Sequence, residues 1–123
     1  MTGGTPVPHG SLQRMDHQTL SDQLEEVSVG YAAANGITRD ANWFMLKLQE
    51  EVGELTQAFL MKMGQARDKG LTESQIDESF RAEIADVFAQ VILLARHHDI
   101  DLLAGVEEKW LRWHPSRKAP AEN

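Results

Sequence analysis

Lys47-Leu-Gln-Glu-Glu51-Val-Gly-Glu54-Leu55 and Arg81-Ala-Glu83-Ile-Ala-Asp86-Val87 decide how this chain is read. Each stretch mixes acids and aliphatics at steps of three and four, the repeat of an α-helix. Neither alternates with the period of two that a half-buried strand shows. Outward from the first stretch, Leu48, Val52, Leu55 and Phe59 make a core stripe. That predicts a helix from an N-cap at Asn42 to about Met63. Around the second, Ile84, Val87, Val91 and Leu94 face inward on a helix that opens at the capping box Thr72 to Gln75. It reaches about His98, with room for a break near Glu78 or Ser79. Upstream, Leu20, Leu24, Val27 and Tyr31 mark a helix from Asp16 to Asn35, stopped by Gly36. Downstream, Asp101 caps a short helix from Leu102 to about Trp113, and Pro115 follows it.

The chain of 123 residues therefore reads as one all-α domain, a four-helix bundle-like arrangement over residues 15–113. Residues 1–14 are rich in Gly, Pro and Thr and are expected to be disordered, and residues 114–123 form a polar tail. The core is small for the apolar surface the helices offer, which predicts a dimer. A 41% hydrophobic and 25% charged composition is that of a globular protein. The net charge of −7 disfavours a nucleic acid polymer as partner, because binding its backbone rewards clustered Lys and Arg. With no cysteine, disulfides, thiolate zinc sites and thiol catalysis are excluded. No signal peptide and no apolar run of membrane-spanning length stands in the sequence, so the expectation is a cytoplasmic protein with no membrane partner.

The acids are the unusual feature. Residues three or four apart share a helix face. Glu51 and Glu54 form one such pair, Glu50 and Glu54 another, and Glu83 and Asp86 a third. All are expected to flank the core stripes and point toward the seam between the helices. Two like charges about 5 Å apart repel by roughly 3 kcal/mol at an effective dielectric near 20. A hard divalent cation relieves that repulsion, and an all-carboxylate oxygen set suits Mg²⁺ or Mn²⁺. Gly53 inside the acidic stretch costs helix stability, which suggests close approach by a neighbouring helix or a substrate.

Glu50-Glu51-x-x-Glu54, then 28 residues, then Glu83-x-x-Asp86 resembles the signature of the MazG family of all-α nucleoside triphosphate pyrophosphohydrolases. Leu48-Gln-Glu-Glu-Val-Gly-Glu-Leu55, Leu94-Ala-Arg-His-His-Asp-Ile-Asp-Leu102 and Lys109-Trp-Leu-Arg112 add to the resemblance, which spans residues 42–113. It implies a helical fold assembled as a dimer or dimer of dimers. It also implies Mg²⁺-dependent hydrolysis of a nucleoside triphosphate between the α and β phosphates. By the same resemblance Glu51, Glu54, Glu83 and Asp86 are metal ligands, and Glu50 is the extra acid that joins the metal site or activates water. Lys109 and Arg112 are phosphate contacts in the last helix. The departure is Val87 to Leu94, where relatives carry a further polar residue and this chain offers only Gln90. A phosphoribosyl-ATP pyrophosphohydrolase and a non-catalytic helical binding module are the alternatives.

Other groups carry a plainer reading. Trp43 sits near a helix start and is the candidate for stacking on a base, whereas Phe44, Trp110 and Trp113 read as packing. His97 and His98 point about 100° apart on a helix and do not share an ion; they read as a polar helix end. Lys62, Arg67 and Lys69 read as a solvated loop.

Overall fold

The computed structural model describes residues 15–117. The expected disordered segment 1–14 and the tail residues 118–123 lie outside the described residues. The fold is all-helical: α1 His17–Asn35, α2 Ala41–Lys62, α3 Glu73–His97 and α4 Leu102–Lys109, with a 3-10 turn at Leu111–Trp113. No helix among the described residues is long and apolar enough to cross a membrane.

Local chemistry sets most of the boundaries. The Asp16 carboxylate accepts from Thr19 N–H, and Asp101 accepts from Ala104 N–H. Thr72 and Gln75 close a reciprocal capping box at the start of α3. Gly36 ends α1 in the left-handed region at φ 64°, with its N–H on Ala32 O. Three expectations need correction. Asp40, not Asn42, caps α2, taking a 2.8 Å bond from Trp43 N–H, because its extended backbone turns the carboxylate onto the free amides of the first turn. The third helix runs unbroken through Glu78 and Ser79. The last helix ends at Lys109, short of Trp113, where the chain tightens into the 3-10 turn.

α2 and α3 make the principal packing of the fold and run antiparallel. Phe44 near the start of α2 stacks on His97 at the end of α3, with ring centroids 4.5 Å apart. Near the other end Phe59 meets Phe80, and Lys62 pairs with Asp77 at 2.7 Å. α1 lies on α3 through small residues: Ser21, Ser28 and Ala32 are its buried positions. This rotates α1 away from its large apolar stripe. Leu20 and Leu24 are half-buried, whereas Val27 is 70% exposed and Tyr31 is exposed. Phe59 and Ile84, expected in the core, are exposed too. The reason is close approach: serine and alanine let α1 sit low on α3, and hydroxyls satisfied by arginine cost little when buried.

Those arginines tie the third layer down. Arg39, in the α1–α2 link, donates to Glu25 and to Ser28 Oγ (3.1 Å), and its guanidinium lies 5.1 Å from the Phe44 ring centroid. Arg96 of α3 donates to Ser21 Oγ at 3.0 Å and Asp22 at 2.7 Å. The arginine hydrogen bonds hold the Glu25 and Asp22 carboxyls below the usual carboxylate range. α4 stands apart. Its main contact is the 3-10 turn behind it, and Leu103, Val106, Trp110 and Trp113 are all exposed. One chain is thus a three-helix body with a short helical arm, not a closed four-helix bundle. Of the large apolar side chains of α4 only Leu102 is half-buried; Leu103 and Val106 are exposed.

Arg39→Ala should destabilise the protein by about 2–3 kcal/mol, because it strands Glu25 in a half-buried seam. Lys62→Ala removes a solvent-facing pair and should cost less than about 1 kcal/mol. Urea unfolding followed by circular dichroism checks both values.

Candidate functional site

The face that α2 turns to α3 follows a heptad: Phe44, Leu48, Glu51, Leu55 and Ala58. The facing residues of α3 are Ile76, Phe80, Glu83, Val87, Gln90 and Leu94. Both stripes are apolar toward their ends and polar in the middle. Because the helices are antiparallel, the two middles meet. Glu51 is therefore not beside the core stripe, as the spacing suggested, but in it: the residue is 8% exposed.

Glu51, Glu83 and Asp86 each offer an oxygen, and these oxygens lie within 4.8 Å of one another. Glu51 Oε1 and Glu83 Oε1 are buried without a hydrogen-bond partner in this chain. Burial, then the charges of Glu54, Asp86 and Glu83, push the Glu51 carboxyl up against the opposing pull of Lys47. Glu83 is pushed up by burial and by the charges of Glu54 and Asp86. A buried carboxylate with an unmatched oxygen is costly in a folded protein. Two such oxygens, with the exposed Asp86 carboxylate beside them, leave a concentrated negative field that a cation matches.

The other expected site residues fall in different places. Glu54 is exposed beside the trio, near enough for its charge to act on both Glu51 and Glu83. Glu50 is exposed and not a member of the trio; its Oε1 lies 3.3 Å from Lys47 Nζ. Trp43 is half-buried, edge-on to Phe44 at 5.0 Å. Lys109 and Arg112 belong to the exposed arm; the Arg112 guanidinium lies 4.9 Å from the Trp113 ring centroid. The structure does not bring them to the trio within one chain. Gly53 is exposed, and a Cβ built on it meets nothing within 4 Å, so the expected close approach by a helix of the same chain is absent. His97 is not merely a polar helix end, since its ring covers Phe44.

The trio opens into a groove between α1 and the α2–α3 pair, about 340 Å³ in volume. Glu51 and Asp86 form its acidic end, with Tyr31, Trp43, Lys47 and Gln90 along the walls. The volume and the mostly apolar lining with a few convergent polar groups suit a small organic ligand. Gln90 adds a buried, unpartnered Oε1. Three of these groups were not singled out as site residues from spacing. Lys47 lies one turn before Glu51 and Gln90 one turn after Asp86, which is the signal that would have found them. Tyr31 had been assigned to the core. No family model, curated protein or solved structure matches this chain.

Glu51→Gln removes a buried charge from the trio. A carboxyl whose folded value is raised favours folding only while protonated, so its ionisation penalises the fold as pH rises through and above its ordinary range. In EDTA at pH 7–8 the variant should therefore be more stable than the parent, by on the order of 1–2 kcal/mol. The difference should vanish below about pH 4. Thermal unfolding across pH measures it.

Proposed function

We propose that this protein is a Mg²⁺- or Mn²⁺-dependent nucleotide pyrophosphohydrolase of the MazG-like kind, cleaving a nucleoside triphosphate to the monophosphate and pyrophosphate. One observation carries the reading. A trio of carboxylates, one of them buried in the seam, stands at the mouth of a groove with aromatic walls. The signature Glu50-Glu51-x-x-Glu54 and Glu83-x-x-Asp86 supports it.

The residues present fit the ion. Glu51, Glu83 and Asp86 supply hard oxygen ligands, and unpartnered Glu51 Oε1 and Glu83 Oε1 are acceptors that lack a donor. Glu54 would join them after a side-chain rotation from its exposed position. Held there, a hard dication neutralises phosphate charge, polarises phosphoryl oxygen and lowers the pKa of water. The rest of the work falls to the chain. Trp43 and Tyr31 offer flat apolar surface for a base. Glu50 is the exposed carboxylate left to take a proton from the attacking water. The negative field of the trio repels a bare triphosphate, so the substrate enters only with its charge matched by metal.

The same reading makes the active particle a homodimer or homotetramer. A single chain leaves Phe59, Ile84, Val106, Trp110 and Trp113 in water. Lys109 and Arg112 reach phosphates only from a second chain. Light scattering on a sizing column should therefore give two or four chains; a monomer at micromolar concentration contradicts this part of the reading.

Pyrophosphate release across a panel of canonical and modified nucleoside triphosphates, with phosphoribosyl-ATP included, tests the activity. Metal-dependent release from at least one triphosphate is expected. Asp86→Asn should lower kcat by at least about 100-fold, the scale on which metal-site disruption is felt, while the helical signal persists. Full activity in that variant removes Asp86 from the metal set. Turnover of phosphoribosyl-ATP alone changes the substrate, and metal binding with no turnover on any of them leaves a binding module.

A further inference from the structure

Lys47 is the groove's own cation, and neither the acidic signature nor the stripe analysis gave it a role. Its side chain is only 19% exposed. Nζ lies 3.3 Å from Glu50 Oε1, 3.8 Å from Glu51 Oε2 and 5.4 Å from the centroid of the Tyr31 ring. It lines the groove with Glu51 and Asp86 at the acidic end and Trp43 on the wall. A lysine engaged only as a surface counter-ion would lie along the outside of α2. This one instead enters the half-buried space between α1 and α2 and rests its ammonium against an aromatic face.

Two consequences follow from that position. The ammonium is attracted to Glu51, the most buried member of the trio, so it competes with any other cation for that charge. When Glu51 is engaged by a divalent ion, Lys47 loses its hold on the carboxylate and is repelled by the ion. Its four-carbon stem is flexible and its head carries three donors. The remaining partners within its reach are Glu50, the Tyr31 face and whatever anionic group occupies the groove.

We propose that Lys47 is an anion-contacting residue that exchanges partners, holding Glu51 and Glu50 until a divalent cation binds the trio and then binding a phosphate-type oxyanion in the groove. This rests on the metal-site reading above. It adds that the groove carries a cation of its own for the ligand's polyphosphate chain, in addition to anything a second chain supplies. The coupling has a sign. Lys47 opposes metal binding when no anion is present and supports anion binding once metal is bound.

Calorimetric titration of the full chain tests both halves, first with Mn²⁺ alone and then with preformed Mn²⁺–tripolyphosphate on Mn²⁺-saturated protein. Lys47→Met keeps a flexible apolar side chain of similar length in the groove and removes the charge that faces Tyr31. It should bind Mn²⁺ alone more tightly, by roughly threefold or more. It should bind Mn²⁺–tripolyphosphate about 10-fold more weakly. Lys47→Arg should recover most of the anion affinity, which a packing role would not predict. Lys47→Gln serves if the Met variant fails to fold. Unchanged affinity for both ligands in a folded variant overturns the proposal, as does weaker Mn²⁺ binding, which would make Lys47 a support of the trio and not its competitor. If the parent protein itself takes up no Mn²⁺, the metal reading fails and this inference falls with it. If the parent binds Mn²⁺ but not the polyphosphate, the proposal is overturned while the metal reading stands.

Discussion

Glu51 sits where a leucine would otherwise complete the α2–α3 seam, and the site follows from that substitution. The heptad Phe44, Leu48, Glu51, Leu55, Ala58 would close the seam if it were apolar throughout. Placing a carboxylate at its centre, opposite Glu83 and with Asp86 at the edge, leaves buried oxygens without donors. Burial and neighbouring negative charge both push the Glu51 and Glu83 carboxyls up. Such an arrangement persists only if the rest of the molecule holds the two helices together. The aromatic contacts at either end, Phe44 on His97 and Phe59 near Phe80, do this, with the arginine-tied α1 lying against α3.

The division of labour along the seam matters for chemistry. The apolar ends set the distance between helices, so the middle is pre-organised and does not have to be assembled by a ligand. α1 then converts an acidic patch into a site with walls. Its low seat on α3, made by Ser21, Ser28 and Ala32, places Tyr31 and Val27 over the groove instead of inside the core. Residues that look misplaced as core thus become lining. The same logic applies to the half-buried Lys47, which stands between Tyr31 of α1 and Glu51 of α2.

Much of this was legible in the sequence. The helical class, the Gly36 stop, the Thr72 and Asp101 caps and the meeting of two acidic stretches follow from periodicity and capping chemistry alone. The core faces did not. Val27, Tyr31, Phe59 and Ile84 carry strong hydrophobic signal and are exposed, while Ser21, Ser28 and Ala32 carry little and are buried. Hydrophobicity measures what a side chain gains on burial, whereas close helix contact also selects for small volume. For the same reason Glu51 was placed at the flank: a charge at a heptad centre is the last reading that patterning suggests. The pairing of Arg39 with Glu25 spans a turn whose path spacing does not encode. The arm of α4 shows the limit of reasoning about one chain, since an apolar helix is recognised from sequence without any indication of which surface receives it.

Everything proposed for this protein depends on Glu51, Glu83 and Asp86 forming a divalent cation site. Anomalous diffraction from crystals grown with Mn²⁺ tests it most directly. The account predicts a strong anomalous peak bounded by Glu51, Glu83 and Asp86, with Mn–O distances near 2.2 Å, roughly those of carboxylate oxygen on a hard dication. The peak should be absent from crystals of Glu51→Gln. A parent crystal with full-occupancy Mn²⁺ bound elsewhere, and protonated or water-bridged carboxyls filling the trio, would contradict it.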